Sequence, residues 1–260
     1  MAEPALFPYS TRMRGHARPF SRSRLRDQVG PGTPIYHLLE GLCFGDVFWA
    51  VDDDFIGVLN TNVWTASNSG GAGVSDFARV ANTPCGAIDG DPGSADDADV
   101  RLFTTSNELV TARRRPLLLA RIGTNTAVAN SKWEVGFIDG AAAGAVLLKA
   151  TPTSTATDYA VIIRDTDDDT SVDLHSDGGT DAAGSVASTS FPTWATQTWY
   201  NVALAVNENR ECAFWMNGIF GGLLRSGPDA TVTLGAWLYA QNRGAATSRT
   251  FRADYVKVLA

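Results

Sequence analysis

Lysine is almost missing from this chain: Lys132, Lys149 and Lys257 are the only three in 260 residues. Cysteine is as scarce. Cys43, Cys85 and Cys212 are an odd set with no CxxC spacing, so neither a disulfide framework nor a cysteine zinc site is indicated. Synthesis in a reducing compartment is the expectation. No uninterrupted apolar stretch approaches the ~18–20 residues of a membrane-crossing helix, so no membrane partner is expected. The opening residues, MAEPALFPYSTRMRG, lack the apolar segment that directs secretion. Histidine occurs three times, at His16, His37 and His175, and no G-x-S-x-G turn is present, which leaves serine–histidine catalysis without its parts.

What is present is an apolar fraction of 44%, enough for most of the chain to fold around a core. The length suits one large domain, or one domain with an extension. Charge is split unevenly. Residues 1–26 carry Arg12, Arg14, Arg18, Arg22, Arg24 and Arg26 against Glu3 alone, a net of +5, which leaves −12 for the rest of a chain whose total is −7. Over residues 1–42, Pro4, Pro8, Pro19, Pro31 and Pro34 interrupt any helix or strand ladder. Apolar residues there follow neither period 2 nor period 3.6. The expected organisation is therefore an extended basic Pro/Arg-rich arm over 1–42 and a β domain over 43–260. Such an arm cannot offset its ordering entropy alone. It needs another protein's surface, or the acidic body of its own chain, to lie on. Ile35–Leu42 has the pattern of one helical turn.

From Cys43 onward the sequence reads as strands. CFGDVFWAV, FIGVLNTNVW, DVRLFTT, PLLLARIG, KWEVGFID, GAVLLKA, DYAVIIRD, TSVDLHS, TWYNVALAVN, CAFWMNGIF, ATVTLGAWLYA and TFRADYVKVLA are short and rich in β-branched and aromatic residues. Gly, Asp, Asn, Pro or Ser/Thr clusters bound each one. Val202, Leu204 and Val206 share one face of their strand, while Asn201, Ala203 and Ala205 share the other. Tyr255, Lys257 and Leu259 oppose Val256 and Val258 in the same way. No amphipathic helix of ten residues follows residue 45, and no 20–50-residue repeat is evident. The class is all-β, a sandwich or barrel.

The segment TWYNVALAVNENRECAFWMNGIFGG adds a grammar to that class. A strand opens with Trp199–Tyr200, a polar turn follows at Asn207–Arg210, and a second strand ends in Asn217–Gly218, a pair suited to the positive φ of a tight hairpin. This resembles the back-sheet hairpin of concanavalin A-like, laminin G-like jelly-roll sandwiches. FRADYVKVLA is similar to the closing strand of that family, KWEVGFID to a middle strand, and DYAVIIRDTDDDTSVDLHSDGG to a mid-sheet hairpin. The resemblance covers roughly residues 47–260. It implies an all-β, concanavalin A-like jelly-roll β-sandwich with an extended N-terminal arm. That fold hosts lectins, glycosidases and structural modules alike. The whole arrangement resembles accessory structural proteins of tailed bacteriophages, of the capsid decoration kind.

Chemistry is sparse against that frame. Glycoside hydrolysis needs two facing carboxyl groups, and the E-x-D-x-E or E-x-D-x-x-E strand of the resembling glycosidases is absent. Of the six glutamates, Glu3, Glu40, Glu108, Glu134, Glu208 and Glu211, only Glu134 sits on a strand. Asp139 lies five residues on, a spacing that puts it on the opposite face. Glu134 is therefore read as a solvent-facing strand carboxylate. His175, beside the SDGG turn, reads as exposed, and Cys212 as a core thiol. Three acidic runs invite calcium: Asp52–Asp54; Asp89, Asp91, Asp96, Asp97 and Asp99; and Asp165 with Asp167–Asp169. The last begins like an EF-hand loop but has Thr170 and Ser176 where Gly and Glu are required. The DGDPGSADDAD loop is the better calcium candidate, against its ordinary use as an Asp-rich turn. Trp133, Trp199, Trp215 and Trp237 read as core filler, while Trp64 and Trp194 lie near loops where they would be able to stack on a sugar.

These readings lead to a non-enzymatic virion structural protein without cofactor, a capsid decoration protein assembled in the host cytoplasm and displayed on the capsid exterior. Phe7, Tyr9, Arg12, Arg14, Arg18, Phe20, Arg22, Arg24 and Arg26 would attach it to major capsid protein subunits. A homo-oligomer, with a trimer favoured, is expected. Nucleic acid fits less well, since the acidic body would repel the polyanion that the arginines attract. The alternative is a carbohydrate-binding, lectin-like adhesion module of a phage tail or fibre, taking a surface glycan.

Overall fold

The structure, a computed structural model, describes residues 49–260 apart from 57–58, 72, 82–85, 105–108, 125–127, 141–155, 168–170, 179–183, 189–190 and 245–246. The expected arm lies outside the described residues with all nine of its contact residues and the 42/43 boundary. So do Cys43, Cys85, His16, His37, Glu3, Glu40, Glu108, Asp168, Asp169 and the strand expected at GAVLLKA.

Sixteen strands occur among the described residues. In chain order they are β1 (Trp49–Asp53), β2 (Trp64–Asn68), β3 (Ser75–Arg79), β4 (Ile88–Asp91), β5 (Asp99–Thr104), β6 (Val110–Thr111), β7 (Leu117–Thr124) and β8 (Ser131–Ile138). The second half holds β9 (Asp158–Asp165), β10 (Val172–Gly178), β11 (Gly184–Ser188), β12 (Trp199–Val206), β13 (Cys212–Met216), β14 (Ile219–Leu224), β15 (Thr233–Asn242) and β16 (Phe251–Leu259). The only described helical segment is one 3-10 turn, Ala112–Arg114. The first sheet runs β14-β13-β12-β7-β16-β4-β3, with β1 also on β16. The second runs β11-β10-β9-β8-β15-β5-β2, with β6 also on β15. Every pairing is antiparallel.

Strand parity builds the core between the sheets. Val202, Leu204 and Val206 of β12 and Val256 and Val258 of β16 enter it from the first sheet, while Trp133, Val135 and Phe137 of β8 and Leu234, Ala236 and Leu238 of β15 enter from the second. Each of these valine, leucine and phenylalanine side chains gains roughly 1.5–3 kcal/mol from burial. The β12–β13 hairpin forms as the sequence implies, and the β13–β14 turn places Asn217 at φ 51° and Gly218 at φ 79°. β8 and the β9–β10 hairpin occupy the middle of their sheet, again as expected.

Three expectations fail here. Phe55–Val63 is no strand over its described residues, and of the expected stretch only Trp64 enters one, β2: the Val63 and Trp64 amides both donate to the Asn60 carbonyl, and Asn62 N–H donates to Asn60 Oδ1. That local side-chain bond competes with a ladder. Trp64 and Trp194, placed near a surface, are 1% and 3% exposed. Trp194 stacks on Tyr200 at 4.0 Å and packs at a tilt against Trp133 at 4.6 Å, deep in the core. Of the four tryptophans read as core filler, Trp133 lies between the sheets, Trp237 lies in a second buried cluster and Trp215 is buried at 4% exposure, so the reading fails only for the partly exposed Trp199. Trp199, Trp215 and Trp237 have the opposite parity to their core-facing neighbours and point outward from their sheets.

Candidate functional site

The outward face of the second sheet carries the chemistry. On β8, Trp133, Val135 and Phe137 point into the core, so Lys132, Glu134 and Gly136 point the other way. Register then fixes their neighbours. Tyr239 of β15 and Ile163 of β9 flank Glu134, and Trp237 and Val161 flank Gly136. Arg101 of β5 and Asp173 of β10 extend the first row, and Phe103 and His175 extend the second. A third row holds Asp99, Gln241, Lys132 and Asp165.

Trp237 and Tyr239, two residues apart on one strand, stack with ring centroids 5.7 Å apart and planes 12° from parallel. Phe103 adds a third ring, 6.2 Å from Trp237. Gly136 pairs with Trp237, and the Trp237 indole donates Nε1–H to Glu134 Oε2 at 2.9 Å. Lys132 Nζ lies 2.9 Å from the other Glu134 oxygen and 5.5 Å from the Tyr239 ring centroid. Arg101 grips Asp99 through two nitrogens, each at 2.8 Å. His175 Nε2 lies 3.8 Å from Asp173 Oδ2, which is outside hydrogen-bond range.

These groups are closed to solvent although they face away from the core between the sheets: Trp237 and Tyr239 belong to a second buried cluster with Tyr159, Val161 and Ile163. Trp237, Tyr239 and His175 are 0% exposed, and Lys132 and Glu134 are 1%. Burial pushes the Lys132 ammonium below its ordinary value despite the pull of Glu134. Burial, with Asp99 and Glu134 nearby, pushes the Tyr239 phenol well up. Tyr239 Oη and both ring nitrogens of His175 have no hydrogen-bonding partner among the described residues. Buried polar atoms are seldom left so. Their capacity suits a polar guest or ordered water.

The sequence misread two of these residues. Glu134 does not face solvent, and His175 belongs to strand β10 rather than to an exposed turn. Alternation told which face each occupies but not that the face is closed. Asp139 stays off that face. Both pairings of β8 are regular from Ser131 to Ile138, and Asp139 accepts from Thr157 N–H and Oγ1 instead. Cys212 is the core thiol expected, with burial pushing it up to about 12.

The calcium candidates are not gathered. Asp89 pairs with Arg252 at 2.8 Å, Asp97 with Arg243 at 2.8 Å, and Asp99 with Arg101. Asp91 accepts from Gly93 N–H and Ser248 Oγ, and Asp96 is exposed. Asp52 pairs with Lys257, and Asp53 accepts from the Trp64 indole. Asp165 and Asp167 both meet Arg243 at 3.4 Å. Among the described residues, no group of three or more His, Cys, Asp or Glu side chains is placed to hold a metal.

The sequence matches no family model and no curated protein. Solved structures do match. One, reported with endo-acting O-glycanases of the human gut microbiota that initiate mucin breakdown, has a TM-score of 0.57 at 11% identity, covering 81% of this chain and 98% of that one. The Emp46p carbohydrate recognition domain in its potassium-bound form has a TM-score of 0.56 at 12% identity, covering 81% and 98%. An endo-1,3-β-glucanase from Streptomyces sioyaensis has a TM-score of 0.56 at 13% identity, covering 82% and 96%. The fold is a concanavalin A-like jelly-roll sandwich. The resemblance to phage decoration proteins gains no support beyond that fold. Two expectations are corrected. These neighbours handle carbohydrate rather than capsids, and hydrolases stand among them, so neither the capsid decoration role nor the exclusion of enzymatic activity stands.

Proposed function

We propose that this chain is a carbohydrate-active protein that takes a glycan on the outward face of its second sheet. The observation that carries the reading is the parallel Trp237–Tyr239 stack set beside Glu134, Lys132, and the Tyr239 hydroxyl and His175 ring nitrogens, which have no hydrogen-bonding partner among the described residues. A sugar offers an apolar C–H face for such rings and hydroxyls that both donate and accept. The fold shared with a carbohydrate recognition domain and with glycan-cleaving enzymes supports the same class of ligand. The test is calorimetric titration of the full chain with laminarin and with mucin O-glycans, repeated with Trp237→Phe and Tyr239→Phe. Binding that both variants weaken supports the face. Equal binding by wild type and both variants places the ligand elsewhere.

One observation favours cleavage as a second reading. Glu134 and Asp173 lie in one row with Ile163 between them, two strand spacings apart. That is about 9.6 Å between backbones, just beyond the ~6.5–9.5 Å that separates the carboxyl groups of an inverting pair. Release of reducing ends that Glu134→Gln and Asp173→Asn both abolish is the expected signature of cleavage here.

A further inference from the structure

We infer that the chain carries a second glycan site, open to solvent, on the outward face of its first sheet, where Trp199 and Tyr255 form a platform for a neutral polysaccharide chain. The inference rests on the glycan reading above and adds a place of contact to it. Trp199 is partly exposed, whereas Trp64, Trp133, Trp194, Trp215 and Trp237 are exposed by 4% or less. Strand parity puts Trp199 and Asn201 of β12, Arg121 of β7 and Tyr255 of β16 on that face, because Val202, Ala120, Ile122 and Val256 beside them enter the core. Register sets Asn201, Arg121 and Tyr255 in one row and Trp199 in the next, paired with Gly123.

Both rings lie along the sheet. A Cβ at Gly123 would meet Trp199 Cε3 at 3.4 Å, which places the indole against β7. Tyr255 reaches across β7 to donate its hydroxyl proton to Asn201 Oδ1 at 3.2 Å. Arg121 Cζ lies 5.1 Å from the Trp199 ring centroid, and Asp254 holds the guanidinium through Nη1 at 2.7 Å. Asn201 is exposed, and Trp199, Arg121 and Tyr255 are partly so, so a ligand reaches all four without any opening of the sheet. The backbones of Trp199 and Tyr255 stand two strand spacings and one row apart, about 12 Å, a span for a chain of sugar units rather than a single one.

The surroundings select that occupant. The rings offer stacking surface to the C–H face of a sugar, while the Asn201 amide, the Arg121 guanidinium and the Tyr255 hydroxyl bond to its hydroxyls. Each nearby cation is matched by an acid, Arg121 by Asp254, Arg252 by Asp89 and Lys257 by Asp52, which gives a charged ligand no advantage. An apolar protein surface laid over the rings would strip water from these polar groups without replacing it.

The experiment is acrylamide quenching of tryptophan fluorescence in the full chain, without and with laminarin or desialylated mucin glycans, beside calorimetry on the same samples. The quenching that Trp199→Phe removes belongs to Trp199, and saturating glycan should suppress at least half of it. Tyr255→Ala should raise the glycan concentration needed for this protection about tenfold, and Asn201→Ala, a change at an exposed position, about threefold. Trp199→Ala removes the open site, so that the second-sheet face can be measured by itself. Heat of binding with Trp199 still fully open to acrylamide overturns the inference and leaves the glycan reading standing. Silence of both probes overturns the two together. Protection that appears without glycan and grows with protein concentration makes the face a contact between copies and overturns the inference as well.

Discussion

Trp237 on β15 and Glu134 on β8 meet across the middle of the second sheet, indole nitrogen to carboxylate oxygen at 2.9 Å, on the side away from the core. The same carboxylate holds Lys132 at 2.9 Å, so one buried acid anchors an aromatic stack and a buried cation together.

Removing that acid should cost far more than removing the pair. Glu134→Ala leaves the Lys132 ammonium in a buried site without its counter-charge, and about 3–5 kcal/mol of stability should be lost. The double change Lys132→Met with Glu134→Leu should recover most of it, because no stranded charge remains. Urea unfolding of the three proteins decides the point. Equal losses in the single and double variants would show that the pair has little coupling.

Much of this architecture can be read from residue order, and the reasons are local. The alternation of Val202, Leu204 and Val206 against Asn201, Ala203 and Ala205 states both strand and core face, and the sheet agrees. Asn217–Gly218 states its turn. Short strands such as β3 (SDFAR) and β11 (GSVAS) give no such signal, because they have too few apolar residues to show a period. The site was less legible. Lys132, Glu134 and His175 occupy polar positions of strands, and alternation alone assigns such positions to water. Their burial depends on what lies over a whole sheet face, and their grouping depends on register between strands up to about a hundred residues apart. Neither is encoded in any one stretch.

The core thiol should give the protein a measurable weakness toward base. Burial raises Cys212 to about 12 from an ordinary value of 9.0. Between those values the unfolded chain releases the thiol proton and the folded chain keeps it. The folded state therefore binds more protons, and stability falls as pH rises through this window. The contribution is intact below about pH 9. By pH 10.5 the loss should reach roughly 2 kcal/mol. Tyr159 and Tyr239, also raised by burial, add a fall of the same sign. Cys212→Ala isolates the thiol: its urea midpoint should shift less than wild type between pH 8 and pH 10.5. Parallel shifts would assign the whole effect to the tyrosines.

The edge strand β14 should limit solubility. Three of the four large hydrophobics exposed among the described residues, Ile219, Phe220 and Leu223, lie on it, at 41%, 53% and 43% exposure. An apolar edge without charge or proline is open to pairing with another chain. Phe220→Lys should lower light scattering at high concentration. It should cost under about 1 kcal/mol, as surface changes do, after allowance for the Trp215 contact at 5.6 Å. Undiminished association in that variant would clear this edge.

Binding on the Trp237–Tyr239 face should be slow. Both rings are 0% exposed, so a glycan cannot stack on them in the arrangement seen here. A minor state that exposes them has to form before or during association, and the apparent affinity falls by its population. If exposure comes first and is slow, the observed rate levels off as glycan concentration rises. Apparent association should also fall below the ~10⁵–10⁷ M⁻¹s⁻¹ common for unhindered docking. Stopped-flow tryptophan fluorescence reads this directly, and Trp237→Phe should remove much of the signal. A fast rate that stays linear in glycan concentration, with the signal intact in that variant, would mean that glycan binds a surface already open, and the Trp237–Tyr239 face would no longer be the site.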